Sequence, residues 1–175
     1  MTYKDEIIRS MDMLARNDKV VFLGQVINYW DCIYGTMNQI PLEKKVELPI
    51  MEDTQMGMSI GLSLLGYIPV SVYIRMDFLI LAMNQFVNHL DILEDMSDGE
   101  FKAKVIVRAI IGSSSPLNPG LQHCRDHTKL IEASLTHTEV VKIVNTCDVY
   151  PAYERALNSD RSTILIEARE WYGKE

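Results

Sequence analysis

The stretch Pro49-Ile50-Met51-Glu52-Asp53-Thr54-Gln55-Met56-Gly57-Met58-Ser59-Ile60-Gly61, closed by Gly66-Tyr67-Ile68-Pro69-Val70, decides the fold. A carboxylate, Glu52, stands where a short strand gives way to a helix. The helix has a small face, with Gly57 and Gly61 one turn apart and Ser59 and Ser63 interleaved. Such a face lets another backbone approach closely. Glu52 has two readings on these residues alone. An acid in a first turn favours the positive end of the helix dipole. A carboxylate at a strand end beside a close-packing helix can also hold a flat heterocycle at an interface.

From Thr54 to Ile74 no residue is charged, a length that can cross a bilayer. Gly57, Gly61, Gly66 and Pro69 interrupt the run, and its periodicity changes at Gly66. It reads as a buried helix, a glycine stop and a buried strand, so no membrane span is expected.

Working outward, strand and helix patterns alternate. Tyr3 to Asn17 is an amphipathic helix, with Ile7, Ile8, Met11, Met13 and Leu14 mostly on one face. Lys19 to Gly24 is a continuous apolar strand of the kind buried on both faces of a parallel sheet. Val46–Leu48, Ile68–Ile74, Val105–Ala109, Val140–Asn145 and Thr163–Glu167 read as further strands. Phe78–Leu93, Thr128–Leu135 and Val149–Leu157 read as helices. The alternation predicts one α/β domain, a doubly wound and mostly parallel sheet with helices on both faces. Ligands bind such sheets beyond the carboxyl ends of the strands. The Glu52 turn and two long loops, Gln25 to Pro41 and Ile111 to Asp126, fall at that end.

The 175 residues suffice for a single well-buried core. Lys and Arg number 17 against 24 Asp and Glu, a formal net charge of −7, which argues against a nucleic-acid partner. Three widely spaced cysteines, Cys32, Cys124 and Cys147, make neither a disulfide framework nor a zinc ribbon. Together with an N-terminus lacking a signal-peptide pattern, they point to a reducing cytoplasm.

No Gly-x-Gly-x-x-Gly, P-loop or Gly-x-Ser-x-Gly elbow is present. Gly112-Ser113-Ser114-Ser115 has the composition of an anion cradle and equally of a flexible loop. His123 and His127, four apart, would share a face if helical and so form a possible metal pair. Arg125 between them is a poor neighbour for a cation. A loop histidine at the ligand-binding end suits proton transfer better.

The ordered set Pro49-Ile50-Met51-Glu52, Gly57-Met58-Ser59-Ile60-Gly61, Gly66 and Pro69-Val70 resembles the pyrimidine-binding domain of transketolase-like thiamine-diphosphate enzymes. The resemblance is closest to the beta subunit of the 2-oxoacid dehydrogenase decarboxylating component. Phe78, Ala82, Asn84-Gln85 and Asn88 continue it. Arg108, Gly112, Gly120 and Gln122-His123 resemble the loop that carries that family's active-site histidine. Phe22-Leu23-Gly24, Asp31, Tyr34, Glu167 and Tyr172-Gly173 extend it over nearly the whole chain.

The resemblance implies roles. Glu52 would hydrogen-bond the aminopyrimidine ring nitrogen of thiamine diphosphate, favouring the imino tautomer that takes the thiazolium carbon proton. Phe78 would stack on the pyrimidine and Ile50 would line its pocket. His123 would serve on the substrate side as proton donor or oxyanion partner. The sequence departs from the pattern at three places. Gln25 stands where those beta subunits usually carry an acid, Asp53-Thr54-Gln55 replaces a small apolar stretch, and Arg75 enters near the pyrimidine pocket. Arg75 suits an anionic substrate or a surface ion pair.

The family's Gly-Asp-Gly and Asn-Asn, which hold magnesium and diphosphate, are not in this sequence. The expectation is therefore a single pyrimidine-binding domain over 1–175, without the diphosphate-binding or C-terminal transketolase domain. A partner subunit would bind the diphosphate and Mg2+, in a heterotetramer. The enzyme would make or break a carbon–carbon bond beside a carbonyl, with a 2-oxo acid or ketose donor. The alternative is a non-catalytic regulatory or structural subunit that keeps the fold.

Overall fold

A computed structural model describes residues 1–174. Its centre is a six-stranded sheet in the order β2-β1-β3-β4-β6-β5. The strands are β1 (Val20–Gly24), β2 (Lys45–Glu47), β3 (Ile68–Tyr73), β4 (Ile106–Ile111), β5 (Glu139–Lys142) and β6 (Thr163–Ala168). Every pairing is parallel. The inner strands β4 and β6 are buried at every position, whereas the edge strand β5 is not. That contrast explains why the central strands read as mostly apolar runs, broken only by Arg108 in β4 and by Thr163 and Glu167 in β6.

Helix α1 (Tyr3–Ala15) opens on a reciprocal cap: Asp5 N–H donates to the Thr2 hydroxyl and Thr2 N–H to the Asp5 carboxylate. Its face of Tyr3, Ile7, Met11 and Leu14 is fully buried. Helix α2 (Glu52–Leu64) packs on β3 and β1. It stops where Gly66 adopts φ +90°, a left-handed conformation that suits glycine. The uncharged run from Thr54 is thus helix, stop and strand, and no helix among the described residues is long and apolar enough to cross a membrane.

The connections β2–β3, β3–β4 and β4–β5 advance across the sheet, whereas β5–β6 steps back. With right-handed crossovers, the helix Thr146–Asn158 then lies on the face opposite α2, where α1 packs against it. The sheet is covered on both faces, as a doubly wound fold requires.

The segment read as one helix over Phe78–Leu93 is instead a relay. It runs as α-helix Met76–Leu79, a 3-10 turn Ile80–Ala82, α-helix Met83–Gln85 and a π turn Phe86–Leu90, with Leu93–Met96 separate. Leu79, Ala82, Phe86 and Leu90 are buried throughout. Their spacing is that of a regular helix, so the apolar period does not reveal the change in hydrogen-bond pattern.

Candidate active site

Because all six strands run the same way, their C-terminal ends share one edge. Gln25 follows β1, Glu52 follows β2, Arg75 and Phe78 follow β3, and the loop bearing His123 follows β4. Glu52 is the first residue of α2 and is only 5% exposed. Its main-chain carbonyl accepts from the Tyr73 hydroxyl at 3.3 Å, which ties the helix start to the end of β3. Its carboxylate has no hydrogen-bond partner among the described residues. A role confined to the helix dipole is served from the surface. The carboxylate oxygens are not among the buried atoms left without a partner, so they keep contact with solvent at the chain's surface, where a ligand N–H can reach them.

Beneath Glu52 lies a pair that the sequence did not disclose. Gln25 Nε2 donates to Gln55 Oε1 at 2.8 Å, and Gln55 Nε2 donates to Ser71 Oγ at 3.0 Å and to the Val72 carbonyl at 3.1 Å. Two of the departures from the family pattern therefore satisfy each other. A polar side chain inside α2 without an acid at position 25 is coherent only as this amide relay. The co-occurrence of the two changes was the available signal.

Phe78 and His123 meet edge-on, with ring centroids 5.3 Å apart and planes at 85°. His123 Nδ1 is buried and has no hydrogen-bond partner. Arg75 is half-buried. Its Nη1 donates to the Ile74 carbonyl at 3.0 Å, while its Nε is buried without a partner. Ile50, expected to line the pocket, is 81% exposed in the single chain. Two open clefts, of about 580 and 690 Å3, include none of Ile50, Glu52, Phe78 or His123. The first opens at the opposite edge, among residues that precede β4, β5 and β6.

His123 and His127 do not share a helical face. His123 ends the 3-10 turn Leu121–His123, and His127 precedes the helix Thr128–Ser134, where Nε2 faces Asp77 at 3.5 Å. Among the described residues no three His, Cys, Asp or Glu side chains form a metal-holding group. The one-face geometry that motivated the metal reading is absent because the chain there is turn and loop.

The His123 loop is seated on Gly112. A Cβ added there would overlap the His123 carbonyl and come within 3.3 Å of Arg75 Cδ. Gly112→Ala is expected to push the loop off β4, destabilising the fold by about 1–3 kcal/mol, the usual cost of overpacking. Thermal unfolding of the variant tests this; an unchanged midpoint would show that the loop is not seated as described.

The sequence is similar to named proteins. It is 28% identical over 171 residues, 93% of this chain, to the pyruvate dehydrogenase E1 component subunit beta of Gracilaria tenuistipitata var. liui. It is 23% identical over 181 residues, 99% of this chain, to the mitochondrial subunit of the same name from Rattus norvegicus. No family model matches. The chain spans about half the length of these relatives, 51% and 49%. Among solved structures, a chain described as a split gene transketolase, inactive beta4 tetramer, superposes with a TM-score of 0.76. It is 16% identical, with 97% of this chain and 52% of that one covered. The parallel sheet order, the helix that opens on Glu52 and these likenesses along most of the chain lead to one conclusion: this protein has the transketolase-like pyrimidine-domain fold.

Proposed function

We propose that this chain is the pyrimidine-binding subunit of a two-subunit, thiamine-diphosphate-dependent enzyme. The enzyme makes or breaks a carbon–carbon bond next to a carbonyl, with a 2-oxo acid or ketose as donor. The observation that carries this reading is Glu52, a largely buried residue at the first turn of α2 whose carboxylate has no protein partner and keeps contact with solvent.

When bound, thiamine diphosphate supplies a nucleophilic carbon and an electron sink beside the carbonyl carbon. The chain's own residues position it and move protons. Glu52 would share a proton between its carboxylate and the pyrimidine ring nitrogen, with most of the residue already buried. Phe78 offers a ring for the flat heterocycle, and Ile50 an apolar lining. His123, whose Nδ1 has no protein partner, is the proton donor on the substrate side.

The outer face of α2 supports a second subunit. Met58 is 40% exposed, Leu65 76%, and a Cβ at Gly61 would touch nothing within 4 Å. With Ile50 and Met51 this is an apolar, small-residue surface of the kind that packs on another chain. That subunit would hold the diphosphate and Mg2+, and two copies of each would form a heterotetramer in the cytoplasm.

Purification from the native source, with mass spectrometry of co-eluting chains and cofactor analysis, tests the reading. The expected result is an equimolar chain bearing Gly-Asp-Gly and Asn-Asn, with thiamine diphosphate and magnesium. Elution alone or as a homodimer that takes up no cofactor would favour the non-catalytic subunit instead.

A further inference from the structure

Helix α2 opens without a side-chain cap. Met51 stands at the capping position, and the Gln55 N–H closes the first turn on the Met51 carbonyl at 2.9 Å. An uncapped first turn is where a helix frays. Glu52 is the first residue of that turn, and its carboxylate has no protein partner among the described residues. The place of the carboxylate is therefore set by its backbone, and something other than a cap must hold that backbone still.

Two neutral side chains do so. Gln55, one turn after Glu52, is fully buried, and its Nε2 donates to Ser71 Oγ and to the Val72 carbonyl of β3. A carbonyl only accepts, so the Gln55 nitrogen must face β3 and its Oε1 must face Gln25. Gln25 must then donate. Its Nε2 carries two hydrogens and meets two acceptors, Gln55 Oε1 at 2.8 Å and the Pro49 carbonyl at 3.3 Å. Pro49 lies three residues before Glu52 and Gln55 three after it. One amide group thus joins the chain entering the Glu52 turn to the chain leaving it, and ties both to the ends of β1 and β3. The Tyr73 hydroxyl adds its bond to the Glu52 carbonyl.

We propose that Gln25 and Gln55 are positioning residues for Glu52, a one-way amide clamp that stands in for a helix cap and fixes where the carboxylate meets the cofactor. This rests on the proposed enzyme reading for what Glu52 contacts. The direction of the clamp also explains why the two glutamines occur together. A carboxylate at position 25 would turn its oxygens on two groups that only accept, Gln55 Oε1 and the Pro49 carbonyl.

The experiment titrates thiamine diphosphate with Mg2+ into the assembled protein as purified and stripped of cofactor, by calorimetry. Hydrogen exchange along α2 is followed in the same protein. Gln25→Met and Gln25→Glu should each weaken the cofactor by about tenfold or more, although both keep the size of the side chain. Each should speed exchange at the first turn of α2 by about tenfold or more and leave the last turn close to the parent. In a Glu52→Gln background, Gln25→Met should cost little further affinity, because the clamp acts through the carboxylate. A merely structural role predicts full additivity there and equal acceleration at both ends of α2, and either result would overturn the proposal. Parent-like affinity and exchange in Gln25→Glu would overturn the direction of the clamp and the proposal with it. A parent that binds cofactor while the variants do not move sinks the clamp alone. A parent that binds none sinks the enzyme reading and with it the positioning role.

Discussion

Glu52→Gln is expected to lower turnover of the assembled enzyme by about 100-fold or more, the range for removing a positioned acid–base group. Assembly and fold should survive. The side chain keeps its size, the Tyr73 hydroxyl still reaches the unchanged main-chain carbonyl, and no side-chain hydrogen bond of Glu52 is lost. The amide cannot share a proton with a ring nitrogen, so cofactor affinity should fall less than the rate. The carboxylate oxygens keep contact with solvent, so the change removes neither a fully buried charge nor a hydrogen bond. The isolated chain should therefore be about as stable as the parent. Loss of rate with unchanged stability separates a ligand-facing acid from a structural one. Rates and cofactor binding by the variant complex, with urea unfolding of the chain, measure both. Full activity would remove Glu52 from the chemistry.

The architecture was legible because the strands that matter most are buried on both faces. Val20-Val21-Phe22-Leu23 and Val105-Ile106-Val107 announce themselves as apolar runs, and the glycine at position 66 separates helix from strand. The opening carboxylate was legible for a different reason, a fixed distance to two glycines. What could not be read was any relation between distant residues. The Gln25–Gln55 relay joins positions on different elements, and nothing local in either marks it. The seat of His123 on Gly112 is likewise a tertiary contact. The exposure of Ile50 could not be read either, because an apolar residue has the same character whether its cover comes from its own chain or another.

The clearest tertiary secret is Arg108, a cation in the middle of β4 that is fully buried. A charge inside an apolar strand requires a partner, but the partner stands on β6. Arg108 Nε and Nη2 each lie 2.6 Å from Glu167 Oε1, Nη1 donates to the Thr36 hydroxyl at 2.9 Å, and Nη2 to the Tyr172 hydroxyl at 3.1 Å. Burial opposes the charge on Arg108, yet the Glu167 carboxylate outweighs it and holds the pKa above its ordinary value. The network reaches the candidate site from below. Thr36 belongs to the long loop after β1 that also carries Tyr34, and Tyr172 supports Arg169. That loop holds Val26, Trp30, Cys32, Ile33 and Tyr34 at positive φ, between 44° and 62°, so it needs external anchors. One anchor is Arg108, and another is Glu47, whose carboxylate accepts the Val26, Ile27 and Asn28 N–H groups.

Arg108→Met should therefore destabilise the protein by about 3–5 kcal/mol, the cost of leaving one member of a buried pair without the other. Most of that cost is Glu167 left without its cation, since Oε1 then keeps only the Tyr172 hydroxyl and Oε2 has no partner. Arg108→Met combined with Glu167→Gln should then be markedly less destabilised than Arg108→Met alone, by about 1–3 kcal/mol. A purely steric role for Arg108 predicts the opposite, because methionine fills similar space and a second change would only add its own cost. Urea unfolding of the two single variants and the double variant closes the cycle, and simple additivity would exclude the ion pair as the source. The loop also supplies a readout beyond stability. With Thr36 untethered, Tyr34 should lose its fixed position, and its ring resonances should shift and broaden in Arg108→Met under conditions where the variant remains folded.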